Sequence, residues 1–328
     1  MSETPIGGSG ATGPDVSILI PVLNEIDGLA RCYREVVEVT EAAGMSIQIV
    51  FVNDGSTDGS GRWMRECAER DPRVTYVGLA YNVGQQRAMY IGLGWCRGRA
   101  VVTYDSDLQF HPGCIPLLAK AIHEGRDIAG GIREIRHESL LANRIPSHIG
   151  KLLINRALRV RQEDFGAVKA YSQRLVRLML AQQSPLIVIP AMAYSLSRNA
   201  VEIPVLHQPR RTGISKWSLF SRMELYLDIY TTYGRRPFEW MMFAGALSLL
   251  AGVALGLGIL GYWLFVNRQF GGLIIFFDVF MIMMGAYFFT FSFIGEFVVR
   301  IFRGRPLAAK LVVSDVVGAA PGGAEYES

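Results

Sequence analysis

The chain of 328 residues is long enough for one large or two modest domains, and 50% of it is hydrophobic, more than a wholly soluble enzyme needs. A net charge of +4, from 33 basic against 29 acidic residues, gives a polyanion-binding role no global support, and no nucleic-acid partner is expected. The four cysteines, Cys32, Cys67, Cys96 and Cys114, show no paired metal-ligand spacing and read as reduced residues of a cytoplasmic domain.

Residues 1–14 are rich in Gly, Ser and Thr, read as disordered, and lack the basic-then-apolar pattern of an export signal. Strands are then predicted at Val16–Pro21, Ile47–Val52, Val74–Leu79 and Ala100–Tyr104. They alternate with helices over Leu29–Ala43, Gly61–Arg70 and Gln85–Cys96, and further strands follow at Ile128–Ile132 and Ala200–Val205. This alternation, with short loops, predicts an α/β fold: a mostly parallel sheet with helices on both faces, filling residues 15–215.

Open sheets of this kind bind ligands at the carboxyl ends of their strands. Four predicted ends are polar: Asn24-Glu25 after Pro21, Asn53-Asp54-Gly55-Ser56-Thr57-Asp58, Tyr81-Asn82-Val83-Gly84-Gln85, and Asp105-Ser106-Asp107-Leu108-Gln109. Asp58 is explained by helix capping, but Asp54 and Glu25 at neighbouring strand ends are not. Asp105 and Asp107 repel one another unless a cation lies between them. A hard divalent ion, Mg2+ or Mn2+, held by carboxylate oxygens and sharing a diphosphate, suits that pair. A plain turn after the strand is the simpler alternative for an isolated Asp-x-Asp.

The second half changes character. Leu140–Val160 carries apolar residues at helical spacing among Arg144, Lys151, Arg156 and Arg159, fitting either an interfacial helix or an ordinary one with a basic face. Residues 216–236, with Phe220, Met223, Tyr226 and Tyr230, read as a juxtamembrane interface helix. No charge occurs from Trp240 to Val266, and only Asp278 from Gly271 to Phe293. Each stretch exceeds the roughly 20 apolar residues that cross a bilayer core. A two-helix transmembrane hairpin is therefore expected at about 238–266 and 272–298 within a 237–299 segment, followed by a tail over 300–328.

Arg235 and Arg236 precede the first span, while Arg300, Arg303, Arg305 and Lys310 follow the second, against one Arg in the loop 267–270. The positive-inside rule places both termini and the α/β domain in the cytoplasm, and the membrane is expected to be a bacterial-type plasma membrane. Asp278 and Glu296 lie toward opposite ends of the second span, so both are expected to reach the interface. Gly252, Gly256 and Gly258 suit close packing, either of the two helices together or of a homo-oligomer.

Taken together, Pro21-Val22-Leu23-Asn24-Glu25, Asn53 to Asp58 and Asp105 to Gln109 resemble the signature blocks of inverting family 2 glycosyltransferases of GT-A fold. Asp164-Phe165-Gly166, Arg210 to Ser218 and Gly295 to Arg300 narrow the resemblance to the polyprenyl-phosphate glycosyltransferases. That group includes the dolichyl-phosphate mannose synthases and the undecaprenyl-phosphate aminoarabinose-type transferases. The resemblance runs from about Val16 to Arg305. It implies transfer of a sugar from a nucleotide-diphosphate donor to polyprenyl phosphate for cell-envelope modification.

The same resemblance implies a nucleotide site at Pro21, Asn24, Glu25 and Asp54, and a metal site at Asp105, Asp107 and Gln109. Arg133, Arg210, Ser215 and Lys216 become binders of phosphate groups, because guanidinium and ammonium donors suit them. Asp164 becomes a catalytic candidate beside Asp105 and Asp107, to position acceptor or sugar. Two positions depart from the pattern: Tyr81 stands where many relatives carry Arg, and Trp217 where Tyr is more usual. The rival readings are another lipid or polysaccharide acceptor, and a non-catalytic nucleotide-sugar-binding membrane scaffold.

Overall fold

A computed structural model of the chain describes residues 13–133, 155, 168–182, 187–206, 238–266, 272–303 and 312–318. Its centre is one eight-stranded sheet of order β7-β5-β6-β4-β1-β2-β3-β8. The strands are β1 (Val16–Val22), β2 (Ile47–Asn53), β3 (Val74–Leu79), β4 (Ala100–Thr103), β5 (Ile128–Arg133), β6 (Lys169–Ser172), β7 (Ala200–Val205) and β8 (Val313–Val317). β1 pairs in parallel with β2 and β4, β2 with β3, and β5 with β7. β6 and β8 run antiparallel to their neighbours. The sheet is thus mixed, parallel at its centre as the alternation requires.

β1, β2 and β3 are buried along their whole lengths, which is why they read as continuous apolar runs. Successive side chains alternate between two cores. Ile18, Ile20, Val22, Ile49 and Phe51 meet α1 (Ile26–Ala42), α2 (Ser60–Arg70) and α4 (Cys114–His123) through Leu29, Val36, Met64 and Leu118. Leu19, Val50, Val52 and Val101 meet α3 (Gln85–Leu93), α5 (Gln173–Ala181) and α6 (Ile189–Leu196) through Ala88, Ile91, Val176 and Met192. Each fully buried aliphatic side chain contributes roughly 1.5–3 kcal/mol, so the two layers hold the sheet between them.

From β1 the chain lays β2 and β3 on one side, then crosses to place β4 on the other. The strand order therefore reverses between β1 and β4. That reversal opens a crevice at the carboxyl ends of these two strands.

The two apolar stretches form α7 (Glu239–Phe265) and α8 (Gly272–Arg303). Both are long and apolar enough to cross a membrane, and only 11% of each apolar window is buried. Leu247, Leu257, Phe276, Phe293 and other large side chains lie exposed along them, unlike the helices of a soluble core. The helices pack closely through glycine. A Cβ on Gly252 would lie 2.6 Å from Ile282 Cγ1, and one on Gly256 would lie 2.9 Å from Asp278 Oδ2. Gly258 faces nothing within 4 Å, so two of the three predicted glycines serve the hairpin itself.

Asp278 packs against the other helix of the hairpin. It is buried against α7, and its Oδ1 has no hydrogen-bond partner among the described residues. All four cysteines are buried free thiols. The predicted helix over 140–160, apart from Asn155, and the juxtamembrane helix up to residue 236 lie outside the described residues.

Candidate active site

The ends of β1 and β2 are held together by hydrogen bonds between their loops. The amide of Asn24 donates to Ser56 Oγ at 3.1 Å, and the amide of Thr57 donates back to Asn24 Oδ1 at 2.8 Å. The Glu25 amide donates to Ser60 Oγ at 3.1 Å, and that of Ile26 to Asp58 Oδ2 at 3.1 Å. Asp58 also accepts from the amide and hydroxyl of Ser60, at 3.0 and 2.6 Å. It thus caps α1 across the chain and α2 locally, as its residue type suggests. Burial opposes ionisation of Asp58, but the bonds from Ser60 and Ile26 outweigh it and lower the carboxyl below its ordinary range.

Asn24 adopts φ 56°, in the left-handed region that Asn tolerates better than most residues. Glu25 stands beside it, half-buried, while Pro21 is fully inside the strand. The β1 end therefore exposes Asn24, and Glu25 in part, beyond a buried Pro21.

Asp54 is buried, and its carboxylate holds the loop after β3. Oδ1 accepts the Val83 amide at 2.7 Å and Oδ2 the Gly84 amide at 3.1 Å. Burial pushes this carboxyl upward while the two amides pull against it, and the net shift is upward. Gly55, at φ 74°, lets the two loops touch, since a Cβ there would lie 2.7 Å from the Asn82 nitrogen. Tyr81, at the tip of this junction, is exposed.

After β4 the exposure alternates: Asp105 and Asp107 are exposed, and Ser106 between them is buried. Gln109 donates to Asp107 twice, from its side chain to Oδ2 at 2.7 Å and from its amide to Oδ1 at 3.2 Å. Gln85, opening α3, donates from Nε2 to Asp105 Oδ1 at 2.8 Å. Tyr104, whose hydroxyl donates to the carbonyl of Phe110, closes the loop at its base. Leu108 is held at φ 54°, a conformation costing a branched side chain about 1–2 kcal/mol, and the loop maintains it beside the acids.

Two carboxylates and one amide oxygen are the hard donors a Mg2+ or Mn2+ ion takes, and they gather on one short loop at the reversal point. Asp107 forms no ion pair with a described residue. No cluster of three or more His, Cys, Asp or Glu ligands occurs among the described residues, where this loop supplies two carboxylates and one amide oxygen. Such a donor set suits an ion that also binds its substrate's oxygens.

The structure brings Asn24, Glu25, Asp54, Asp105, Asp107 and Gln109 to one sheet edge. Arg133 ends β5, and nothing further of its side chain is described. Asp164, Arg210, Ser215 and Lys216 lie outside the described residues. Sequence reasoning misses Lys169, which is almost wholly buried in β6, in register with Thr103, two residues before Asp105. A lone charge in the otherwise apolar Val168–Tyr171 is the only signal it leaves.

The reversal point of an open α/β sheet, with a carboxylate loop on one side and amide-rich loops on the other, is where enzymes of this architecture bind their ligands. The family described as "Glycosyl transferase family 2" matches residues 17–177, which hold every element of this crevice. An undecaprenyl-phosphate 4-deoxy-4-formamido-L-arabinose transferase of Edwardsiella ictaluri is 32% identical over 308 residues, covering 93% of this chain and 94% of that protein. The protein of the same name from Klebsiella pneumoniae is 33% identical over 298 residues, covering 89% and 91%. The chain belongs to glycosyltransferase family 2, and its sheet is of the GT-A type. Among solved structures, a mannosyltransferase of Pyrobaculum calidifontis in complex with GDP-Man and Mn2+ aligns at TM-score 0.45 and 15% identity, over 93% of this chain and 92% of that one.

Proposed function

We propose that this glycosyltransferase moves a sugar from a nucleotide-diphosphate donor to a polyprenyl phosphate in the membrane, with inversion at the anomeric carbon. One observation carries the reading: a carboxylate loop suited to a diphosphate-bound cation belongs to the same chain as a hairpin whose apolar surface is exposed along its length. A water-soluble donor and a lipid acceptor are the pair of substrates such a chain needs. The relatives' shared name, undecaprenyl-phosphate 4-deoxy-4-formamido-L-arabinose transferase, supports undecaprenyl phosphate as acceptor and a 4-deoxy-4-formamido-L-arabinosyl group as cargo.

In this reading Asn24 and Glu25 line the nucleotide site against Pro21, and Asp54 fixes the loop that closes it. Asp105, Asp107 and Gln109 hold the divalent ion, which when bound offsets the charge growing on the departing diphosphate. Arg133, Arg210, Ser215 and Lys216 receive phosphate groups, the forked guanidinium donors matching phosphate oxygens. A phosphate monoester is already mostly ionised near neutral pH, with a second pKa of about 6, so the acceptor needs little help from a general base. Asp164 then serves to orient the acceptor or sugar. The catalytic domain and both termini face the cytoplasm, where the basic residues flanking the hairpin lie.

The test is release of nucleoside diphosphate by the purified full chain in lipid nanodiscs with Mg2+ or Mn2+, over a panel of nucleotide sugars. Release is expected only when undecaprenyl phosphate is present, with the glycolipid detected by mass. Release indifferent to that lipid overturns the acceptor, and full turnover by Asp107→Asn overturns the metal site.

A further inference from the structure

β8 follows the second membrane helix in sequence, yet it forms the edge of the catalytic sheet. It pairs antiparallel with β3, the strand that leads into the Tyr81–Gly84 loop. The register places Tyr76 opposite Val317 and Gly78 opposite Asp315, then shifts so that Leu79 meets Val313. Ser314, left over by the shift, donates from Oγ to the Gly78 carbonyl at 3.1 Å. The Ala80 amide donates to the Val312 carbonyl at 2.8 Å. The last residue before Tyr81 is therefore fastened by a segment that comes from the membrane hairpin. A bulge of this kind re-aims a strand end next to a site.

A second connection runs through side chains. Asp315 pairs with Arg65 of α2, whose guanidinium carbon lies 5.8 Å from the centre of the Tyr76 ring. Asn53 Nδ2 donates to the Tyr76 hydroxyl at 3.4 Å, and Asn53 Oδ1 accepts the Ser56 amide at 2.9 Å. Ser56 Oγ in turn accepts the amide of Asn24. Both connections end on the loops that frame the crevice, one at Tyr81 and one at Asn24.

We propose that β8 is a positioning element of the donor pocket: through its ladder to β3 and through Asp315, a strand tied to the membrane hairpin sets the geometry in which nucleotide binds. This rests on the crevice being the donor site. The consequence is that a catalytic domain separated from its hairpin and tail binds donor poorly, although every signature block is intact. Coupling through packed networks of this kind amounts to roughly 2–30-fold in affinity, and the expected loss here is about tenfold.

The experiment uses the full chain in nanodiscs and calorimetric binding of UDP, GDP and dTDP with Mg2+, together with donor and acceptor KM. Ending the chain at residue 311 and, separately, Asp315→Ala are each expected to weaken nucleotide binding and raise donor KM. Acceptor KM and kcat at saturating donor should stay within about twofold. A synthetic peptide of residues 310–319 should restore binding to the shortened chain, and reversing the pair as Arg65→Asp with Asp315→Arg should restore more than half of what Asp315→Ala loses. If the shortened chain fails to fold, Asp315→Ala and the reversed pair decide alone. Unchanged nucleotide affinity in folded variants overturns the inference, as does an equal rise in both KM values. If the unaltered chain binds none of the three nucleotides, the donor-site reading falls instead.

Discussion

Gln85 Nε2 donates to Asp105 Oδ1 at 2.8 Å, joining the first turn of α3 to the carboxylate loop after β4. The bond fixes one oxygen of Asp105 and so orients its carboxylate. Groups that orient a ligand carboxylate typically change metal affinity by about 10–100-fold when removed. Gln85→Ala should therefore raise the Mg2+ or Mn2+ concentration for half-maximal turnover by about tenfold. The rate at saturating metal should fall much less. A metal titration of turnover checks this, and an unchanged midpoint would remove Gln85 from the site.

Gly55 and Gly59 both have positive φ, at 74° and 96°, but only Gly55 faces another backbone. A Cβ on Gly55 meets the Asn82 nitrogen at 2.7 Å and the Tyr81 carbonyl carbon at 2.8 Å, whereas one on Gly59 meets nothing within 4 Å. Gly59→Ala should cost only the torsional penalty, about 1–2 kcal/mol of stability. Gly55→Ala adds a clash that pushes the Tyr81–Gly84 loop away from Asp54. It should lower donor affinity about tenfold or more, since hydrogen bonds to a charged group contribute about 1.5–3 kcal/mol each. Nucleotide binding and thermal unfolding of the two variants separate the effects; equal donor affinity in both would contradict the loop contact.

At the opposite edge of the sheet, Asp71 accepts from the Tyr33 hydroxyl at 2.6 Å and from Arg73 Nη2 at 2.8 Å, and Arg73 also reaches Glu41 at 2.6 Å. Burial opposes ionisation of Asp71, but Arg73 and Tyr33 outweigh it and bring the carboxyl from 3.8 to about 2. The folded state thus binds the proton less readily than the unfolded chain. Its stabilisation is complete above the ordinary carboxylate range and disappears as pH falls from about 4 to 2. Burial and the bond to Asp71 push the Tyr33 phenol up to about 12, so the same cluster also weakens as pH rises from 10 to 12. Asp71→Asn should unfold at lower temperature than the parent at pH 7, with the gap closing toward pH 2. A gap independent of pH would show that Asp71 does not titrate in this way.

Much of this architecture is legible in the sequence because its determinants are local. Continuous apolar runs mark β1 to β4, and polar clusters mark their ends. The strands that escape notice depend on distant partners. β6 is four residues long and includes Lys169, a residue type that argues against burial until its neighbours are known. β8 falls in the segment 300–328 read only as a tail, and its pairing with β3 spans more than half the chain. Asp54 is visible as a carboxylate at a strand end, but its grip on Val83 and Gly84 is not, because the contact is made between two loops. The burial of Asp278 is hidden from sequence for a related reason: distance along a helix gives depth, while the face it presents follows from Gly256 on the other helix.

That hairpin gives the last prediction. Gly245 and Gly285 face one another so closely that a Cβ on Gly285 would lie 2.5 Å from the Leu249 nitrogen and 2.8 Å from the Gly245 carbonyl oxygen. Both neighbours are helix backbone and cannot turn aside. In lipid no hydrophobic force drives the helices together, so their association rests on this close approach. Gly285→Ala should separate α7 from α8, and one lost packing site of this kind costs about 1–3 kcal/mol. Gly258, which meets nothing within 4 Å, is the control. Gly258→Ala should leave stability unchanged or raise it by up to about 1 kcal/mol through helix propensity alone. Unfolding of both variants in nanodiscs decides the matter: Gly285→Ala must melt below the parent and Gly258→Ala must not. If the two melt together, glycine packing does not hold the hairpin, and the buried Asp278 against Gly256 becomes the contact to test by Asp278→Asn.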